Sequence, residues 1–358
     1  VLAELIACDF HKPGAPLADA GVFDAGPSDS GASRFDAGFL DAGPPDAGLP
    51  DGGFVDGGQI CPADGLPDGG WCLEADFDWP AGTVGAVAIS GTSETDVWMV
   101  ANQVAHRNAS GWSLVPAPPG AFVAVSASQP DNSWAAGDVL MHWDGSIWST
   151  VSETNSGGLP WQAIWTSGPD DVWAASYYEL DHWDGSTWTA LDGGENTLDA
   201  LGGTGPNDVW VGGYKPGSII GGCRRILHFD GTDWTTTFDG CTRDDHDGEV
   251  LAIAAPPSGA IWAVGIRAAV DFPTPENLVW DGLTWQDAPV PQPEYPTGIW
   301  AAWSPGGGEL WVVADKLYRM QGSTFEAQSL EQQPGAVWGT QQLVWTVTYQ
   351  GQIWLRRR

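Results

Sequence analysis

Positive charge is scarce in this chain: 13 Lys and Arg stand against 46 Asp and Glu in 358 residues, a formal net charge of -33. A polyanionic nucleic acid would be repelled rather than steered in, which argues against a nucleic-acid partner. The acid is not confined to one end, since residues 71 to 358 hold 34 acidic against 11 basic side chains. Cysteine is also sparse, five in all, and no two are spaced Cys-x-x-Cys, so no zinc site is expected. After the first eight residues no apolar run is long enough to span a bilayer. Tryptophan is the opposite case, with 23 residues, and its large ring is placed where it can pack and its N–H can find a partner.

The opening octet, VLAELIAC, reads as the tail of a longer apolar segment. Within it Leu5-Ile6-Ala7-Cys8 resembles the lipobox of bacterial lipoproteins. That resemblance implies a signal peptide over residues 1–8, lipidation at Cys8, and a domain held at the cell envelope by an acyl anchor, its only membrane contact. Residues 9–60 are built from Asp, Ala, Gly and Pro, with Asp36, Asp41, Asp46, Asp51 and Asp56 five apart. So few large apolar groups cannot offset the entropy of ordering, and a disordered, low-complexity linker is expected there. A chain of that length reaches about 40 Å root-mean-square.

Beyond it the sequence repeats about every forty residues. One Trp series follows a Gly-rich turn, as in GPDDVWAAS and GPNDVWVGG: Trp98, Trp134, Trp173, Trp210, Trp262, Trp311 and Trp345. A second follows the hairpin turn, as in His182 to Trp188, HWDGSTW: Trp71, Trp112, Trp148, Trp188, Trp234 and Trp285, with Phe325 as the seventh member. Asp-Gly between half-apolar runs predicts strand, two-residue type I′ turn, strand. Four short strands per unit, seven units, is the pattern of an all-β, seven-bladed β-propeller over residues 61–358. Trp71 stands alone, as the last strand of a unit whose first three strands are missing. Ala336 to Gly339, Leu343 to Val347 and Gln352 to Leu355 supply those three, so the two ends of the chain are expected to share the seventh blade. Such closure removes the unpaired edges that invite aggregation.

Cys61, Cys72, Cys223 and Cys241 are even in number, and in an exported chain two disulfides are expected, most simply Cys61 with Cys72 and Cys223 with Cys241. His106, His142, His182 and His228 occupy one repeat position, which points to a structural hydrogen bond rather than to catalysis. Asp144, Asp184, Asp230 and Asp281 are turn residues by the same reasoning.

Function is expected where the repeat is broken. The irregular insertions are Ser152 to Pro160, Tyr177 to Leu180, Gly213 to Arg225, Asp239 to Glu249, Ile266 to Asn277 and Val290 to Thr297. All join second to third strands or one blade to the next, so they share one face. They carry the candidate ligand-binding residues Tyr177, Tyr178, Tyr214, Lys215, Arg224, Arg225, Arg243, Arg267 and Tyr295. Aromatics beside cations suit a glycan, an acidic peptide or a carboxylated ligand. The acidic run Asp244 to Glu249 could offer Asp245, Asp247 and Glu249 to calcium, but Arg243 stands where an EF-hand-like loop needs its first ligand, and the run reads as a surface turn. No cofactor is expected.

The repeats GPDDVWAAS and ELDHWDGSTW resemble those of exported bacterial lipoproteins grouped with Asp-box-like (BNR) propellers. The sialidase Asp-box itself is not reproduced, because Asp184 and Gly185 are adjacent. The leading reading is a monomeric, non-catalytic envelope lipoprotein that binds a protein or glycan on its elaborated face. A carbohydrate-active hydrolase or lyase, with two carboxylates facing across a pocket, and a structural or assembly protein are the alternatives.

Overall fold

The computed structural model describes residues 60–62, 66, 70–77, 88–152, 159–194, 196–218, 221–242, 248–267, 273–330 and 332–358. Cys8, the linker up to residue 59, Arg243, Asp245 and Asp247 lie outside the described residues.

The chain forms seven four-stranded antiparallel sheets arranged as a seven-bladed β-propeller. Blades one to six span residues 88–115, 122–152, 161–192, 197–239, 248–287 and 301–327 in chain order, each a simple meander. The seventh takes three strands from 334–357 and its outer strand, Trp71–Asp76, from the other end of the chain. Trp71 pairs with Arg356 and Asp76 with Gln352 in that closing ladder. The closure expected from the solitary Trp71 is therefore observed.

Both Trp series find their partners between blades. Four second-strand Trp lie against the fourth-strand Trp of the next blade at near right angles: Trp98 on Trp148, Trp134 on Trp188, Trp173 on Trp234 and Trp210 on Trp285, with centroids 5.1 to 5.6 Å apart. Edge-to-face contact of this kind adds to the area buried. Trp98, Trp173, Trp210, Trp311 and Trp345 are fully buried, so the core is a ring of inter-blade seams.

The recurring histidines brace these indoles. His182 donates from Nε2 to Asp171 Oδ1 at 2.8 Å, Trp173 Nε1 donates to the same oxygen at 3.0 Å, and the two rings stack at 4.0 Å. His228 and Trp210 do the same on Asp208, and in blade two Asn132 takes the place of the aspartate beneath His142 and Trp134. Blade six replaces His by Arg319, which lies over Trp311 and donates to Glu309 at 2.9 Å.

The hairpin turn differs from expectation. The ladder ends at Trp183 with Trp188, but Asp184 N still donates to Thr187 O at 3.3 Å, so the two residues inside the turn are Gly185 and Ser186 rather than Asp184 and Gly185. Asp184 Oδ1 accepts from the backbone of Ser186 and Thr187, and Gly185 takes the positive φ of 90°. The side chain thus reinforces the turn that the backbone closes. Both expected disulfides, Cys61 to Cys72 and Cys223 to Cys241, are present.

Candidate functional site at the loop face

In an antiparallel four-strand meander, the connection from second to third strand and the one leaving the fourth emerge at the same end. The insertions therefore share a face, opposite the tight Asp-Gly turns. The largest is not a loop in blade four. Asp208–Ser218 and Gly221–Phe229 continue as a paired hairpin, with Tyr214 opposite Arg224 and Lys215 opposite Cys223. Glycine and proline at 212, 213, 216 and 217 hid this extension in the sequence, and the Cys223 disulfide ties it to the short helical turn Gly240–Thr242.

The hairpin brings residues of three blades together. The phenol of Tyr214 is held partly buried, which raises its pKa, with Thr197 as hydrogen-bond partner and Glu249, Asp199 and Tyr178 within electrostatic reach. Asp199 was not legible as a site residue. It sits at a bulge in the innermost strand of blade four, between Leu198 and Ala200, and bulges re-aim a side chain. Tyr178 is exposed and its ring is 6.4 Å from that of Tyr177.

Arg224 is corrected by the structure. Only 1% exposed, it pairs with Glu276 Oε1 at 2.7 Å and lies over Phe238. Burial pulls its pKa down while Glu276 opposes that, so it is a strut from blade four to blade five and presents nothing to a ligand. Arg225 pairs with Asp239 at 3.3 Å within its own blade. Arg267 ends the second strand of blade five opposite Gly248, near enough to Arg224 to oppose its charge. Lys215 is half-buried. Glu249 lies in the first strand of blade five, and no group of three His, Cys, Asp or Glu positioned for a metal occurs among the described residues.

Tyr295, 70% exposed, stands apart from that cluster at the rim of a cavity of about 310 Å³ between blades six and seven. Lys316, Asp315 and Gln328 line it with Leu317 and Leu330. Asp315 accepts from Tyr318 Oη and from the Glu294 backbone, both at 2.8 Å, and Lys316 pairs with Glu294. Burial, and then Asp315, raise the Tyr318 phenol well above its usual range.

Carboxylates of unusual environment lie deeper in blade three. Asp181 is pushed up to about 6 by burial and by the neighbouring Glu179, on the same side of the third strand.

No family model matches the chain, and no curated protein sequence matches it. Solved structures do. YCF48 bound to D1 peptide is similar with a TM-score of 0.57 at 14% identity, over 81% of this chain and 97% of that one. The WD40 β-propeller domain of Doa1 gives 0.61 at 10%, over 80% and 96%. Virginiamycin B lyase from Staphylococcus aureus gives 0.58 at 14%, over 80% and 97%. At these identities the likeness is one of fold, shared by a protein solved with a bound peptide and by a lyase, and the fold of this chain is that of the WD40-like propellers.

Proposed function

We propose that the chain is a non-catalytic lipoprotein of the cell envelope whose propeller holds a protein ligand against its loop face. The observation that carries this reading is the placement of Tyr178 and Tyr295, large rings left exposed on connections of one parity while the other repeat aromatics are packed into seams. Exposed Tyr is the residue type that anchors protein interfaces, and a rigid ring of blades holds such anchors in fixed relative positions. That the structurally similar YCF48 holds a peptide supports the choice of a protein over a glycan. The envelope location rests on Leu5 to Cys8, with Cys8 as the acylated residue. The two disulfides are consistent with an oxidising compartment.

Arrays of peptides and of glycans, probed with the full chain, test the reading. Retention on peptides supports it; retention on glycans alone overturns it. Metabolic labelling with a palmitate analogue tests Cys8, and label that persists in Cys8→Ser overturns the anchor.

A further inference from the structure

Blade one carries a second cavity, of about 420 Å³, also at the loop-face end. Its walls are Val104, Leu114, Val115, Pro118 and Phe122, with Gln103 among them. The cavity exists because the connection to blade two cannot pair with the blade. Pro116, Pro118 and Pro119 have no N–H to donate. The connection is hydrogen-bonded at its end, where Phe122 N donates to Ala101 O and Ala121 N to Asp138 Oδ2, both at 3.0 Å.

Two features of this cavity are unspent by the fold. Gln103 is part of the lining, and its Oε1 is a buried acceptor with no hydrogen-bond partner among the described residues, a state that an incoming donor would relieve. The outer strand of blade one, Gly111–Val115, ends its sheet, so one edge of its backbone has no strand beside it among the described residues, and Leu114 on it is 50% exposed. At blade seven the chain already fills the corresponding edge itself: Ile60 bridges Leu73 in parallel and Cys61 N donates to Leu73 O at 3.0 Å. An extended segment along an outer edge is therefore a pairing this propeller uses. Charge narrows the partner further. No charged side chain lines the cavity, the exposed carboxylate of Asp138 stands at the connection that forms its rim, and the whole chain carries -33.

We propose that this cavity is a peptide-anchoring site: it takes one aliphatic side chain of an extended partner segment, whose backbone N–H reaches Gln103 Oε1 and whose flanking Lys or Arg meets Asp138. Strand addition to a free edge with a side-chain pocket beside it is an established mode of peptide recognition. The cavity is of ligand-site size, such sites spanning about 300–1,000 Å³. The inference rests on the protein-binding reading above and adds the chemistry of the segment bound.

The test uses the full chain and a biotinylated peptide of sequence Gly-Ser-Lys-X-Lys-Ser-Gly, with X a diazirine-bearing leucine, cross-linked by light and mapped by tandem mass spectrometry. Insertions are expected within Asn102–Val104 and Leu114–Phe122. Gln103→Leu, and Leu114→Asp at a surface position that folding does not need, should each lower the yield about tenfold, the equivalent of one hydrogen bond or one buried side chain. Replacing both peptide lysines by glutamate should do the same. Cross-links that map to the Tyr178 or Tyr295 connections and survive Leu114→Asp, or no cross-links at all, overturn this site. The protein-binding reading stands or falls separately, on retention in the peptide array.

Discussion

The indole of Trp71 meets the indole of Trp311 edge-on, with 6.0 Å between centroids and 89° between planes. It is the contact that Trp234 makes with Trp173, at 5.3 Å, but here the partners lie 240 residues apart and the contact closes the ring. Trp71→Ala is expected to cost about 3 kcal/mol, because a large ring is removed from a packed seam. Chemical denaturation reads this directly. Trp234→Ala, which removes the same edge-on contact from Trp173, provides the comparison within a blade built from consecutive strands.

Glu74 fastens the other side of the closing blade. Its Oε2 accepts the indole N–H of Trp112 at 2.9 Å and of Trp345 at 2.8 Å, and Oε1 takes the Arg107 guanidinium. Glu74→Leu should destabilise the protein by about 3 kcal/mol, since it strands a partly buried cation and two donors at once. Glu74→Gln, which keeps an acceptor, should lose less. Equal losses in the two variants would show that the charge, not the acceptor, matters.

The braces beneath the second-strand tryptophans predict an acid response. Burial works to raise the Asp171 pKa, but hydrogen bonds from His182, Ser167 and Trp173 outweigh it and leave the carboxyl below its usual value. A depressed folded-state pKa contributes stability above the unfolded value of about 3.8 that is lost as pH falls through the folded one. Asp171→Asn copies what Asn132 does in blade two, so it should retain most of the neutral-pH stability and soften the loss on acidification below pH 4. Asp171→Leu should cost about 2 kcal/mol at pH 7 by orphaning both donors.

Asp181 carries the opposite sign. Burial first, and Glu179 second, raise it to about 6, so the folded state holds the proton more tightly than the unfolded chain. Stability is then lost as pH rises from about 4 through 6. Asp181→Asn should raise the thermal midpoint at pH 7.5, with a gain of about 1 kcal/mol, and make no difference at pH 3.5. A gain that persists at pH 3.5 would assign the effect to packing.

The two disulfides differ in access. Cys72 is fully buried, whereas Cys241 is exposed on its helical turn. Thiolate attack requires access, so limiting dithiol should open Cys223–Cys241 first and leave Cys61–Cys72 closed. Differential alkylation and mass spectrometry give the order; simultaneous opening would contradict it.

Blade count and closure were legible in the sequence because the two Trp series mark the same strand in every unit, and Trp71 with Trp345 betrays the phase at the ends. The role of His106, His142, His182 and His228 was legible for the same reason: a periodic residue answers to the fold. What depends on the neighbouring blade was not. Arg224 looked like part of a cationic face, yet strand pairing through Gly213 and Pro216 turns it inward onto Glu276. Nothing local to Glu74 announces that it receives two indoles from blades one and seven, and Arg319 fills the histidine position of blade six without resembling it. The bulge that places Asp199 beside Tyr214 is likewise set by register across strands rather than by composition.

On the proposed function the loop face, not the tight-turn face, receives the partner. The affinity of one array-selected peptide for two double variants of the full chain decides between the faces. Tyr178→Ala/Tyr295→Ala removes rings exposed on the loop face, and Ile147→Ser/Leu283→Ser removes apolar side chains exposed on the tight turns. A loss of about tenfold or more in the first with no change in the second is the predicted result, as expected for interface anchors. Loss in the second with none in the first would place the partner on the tight-turn face instead.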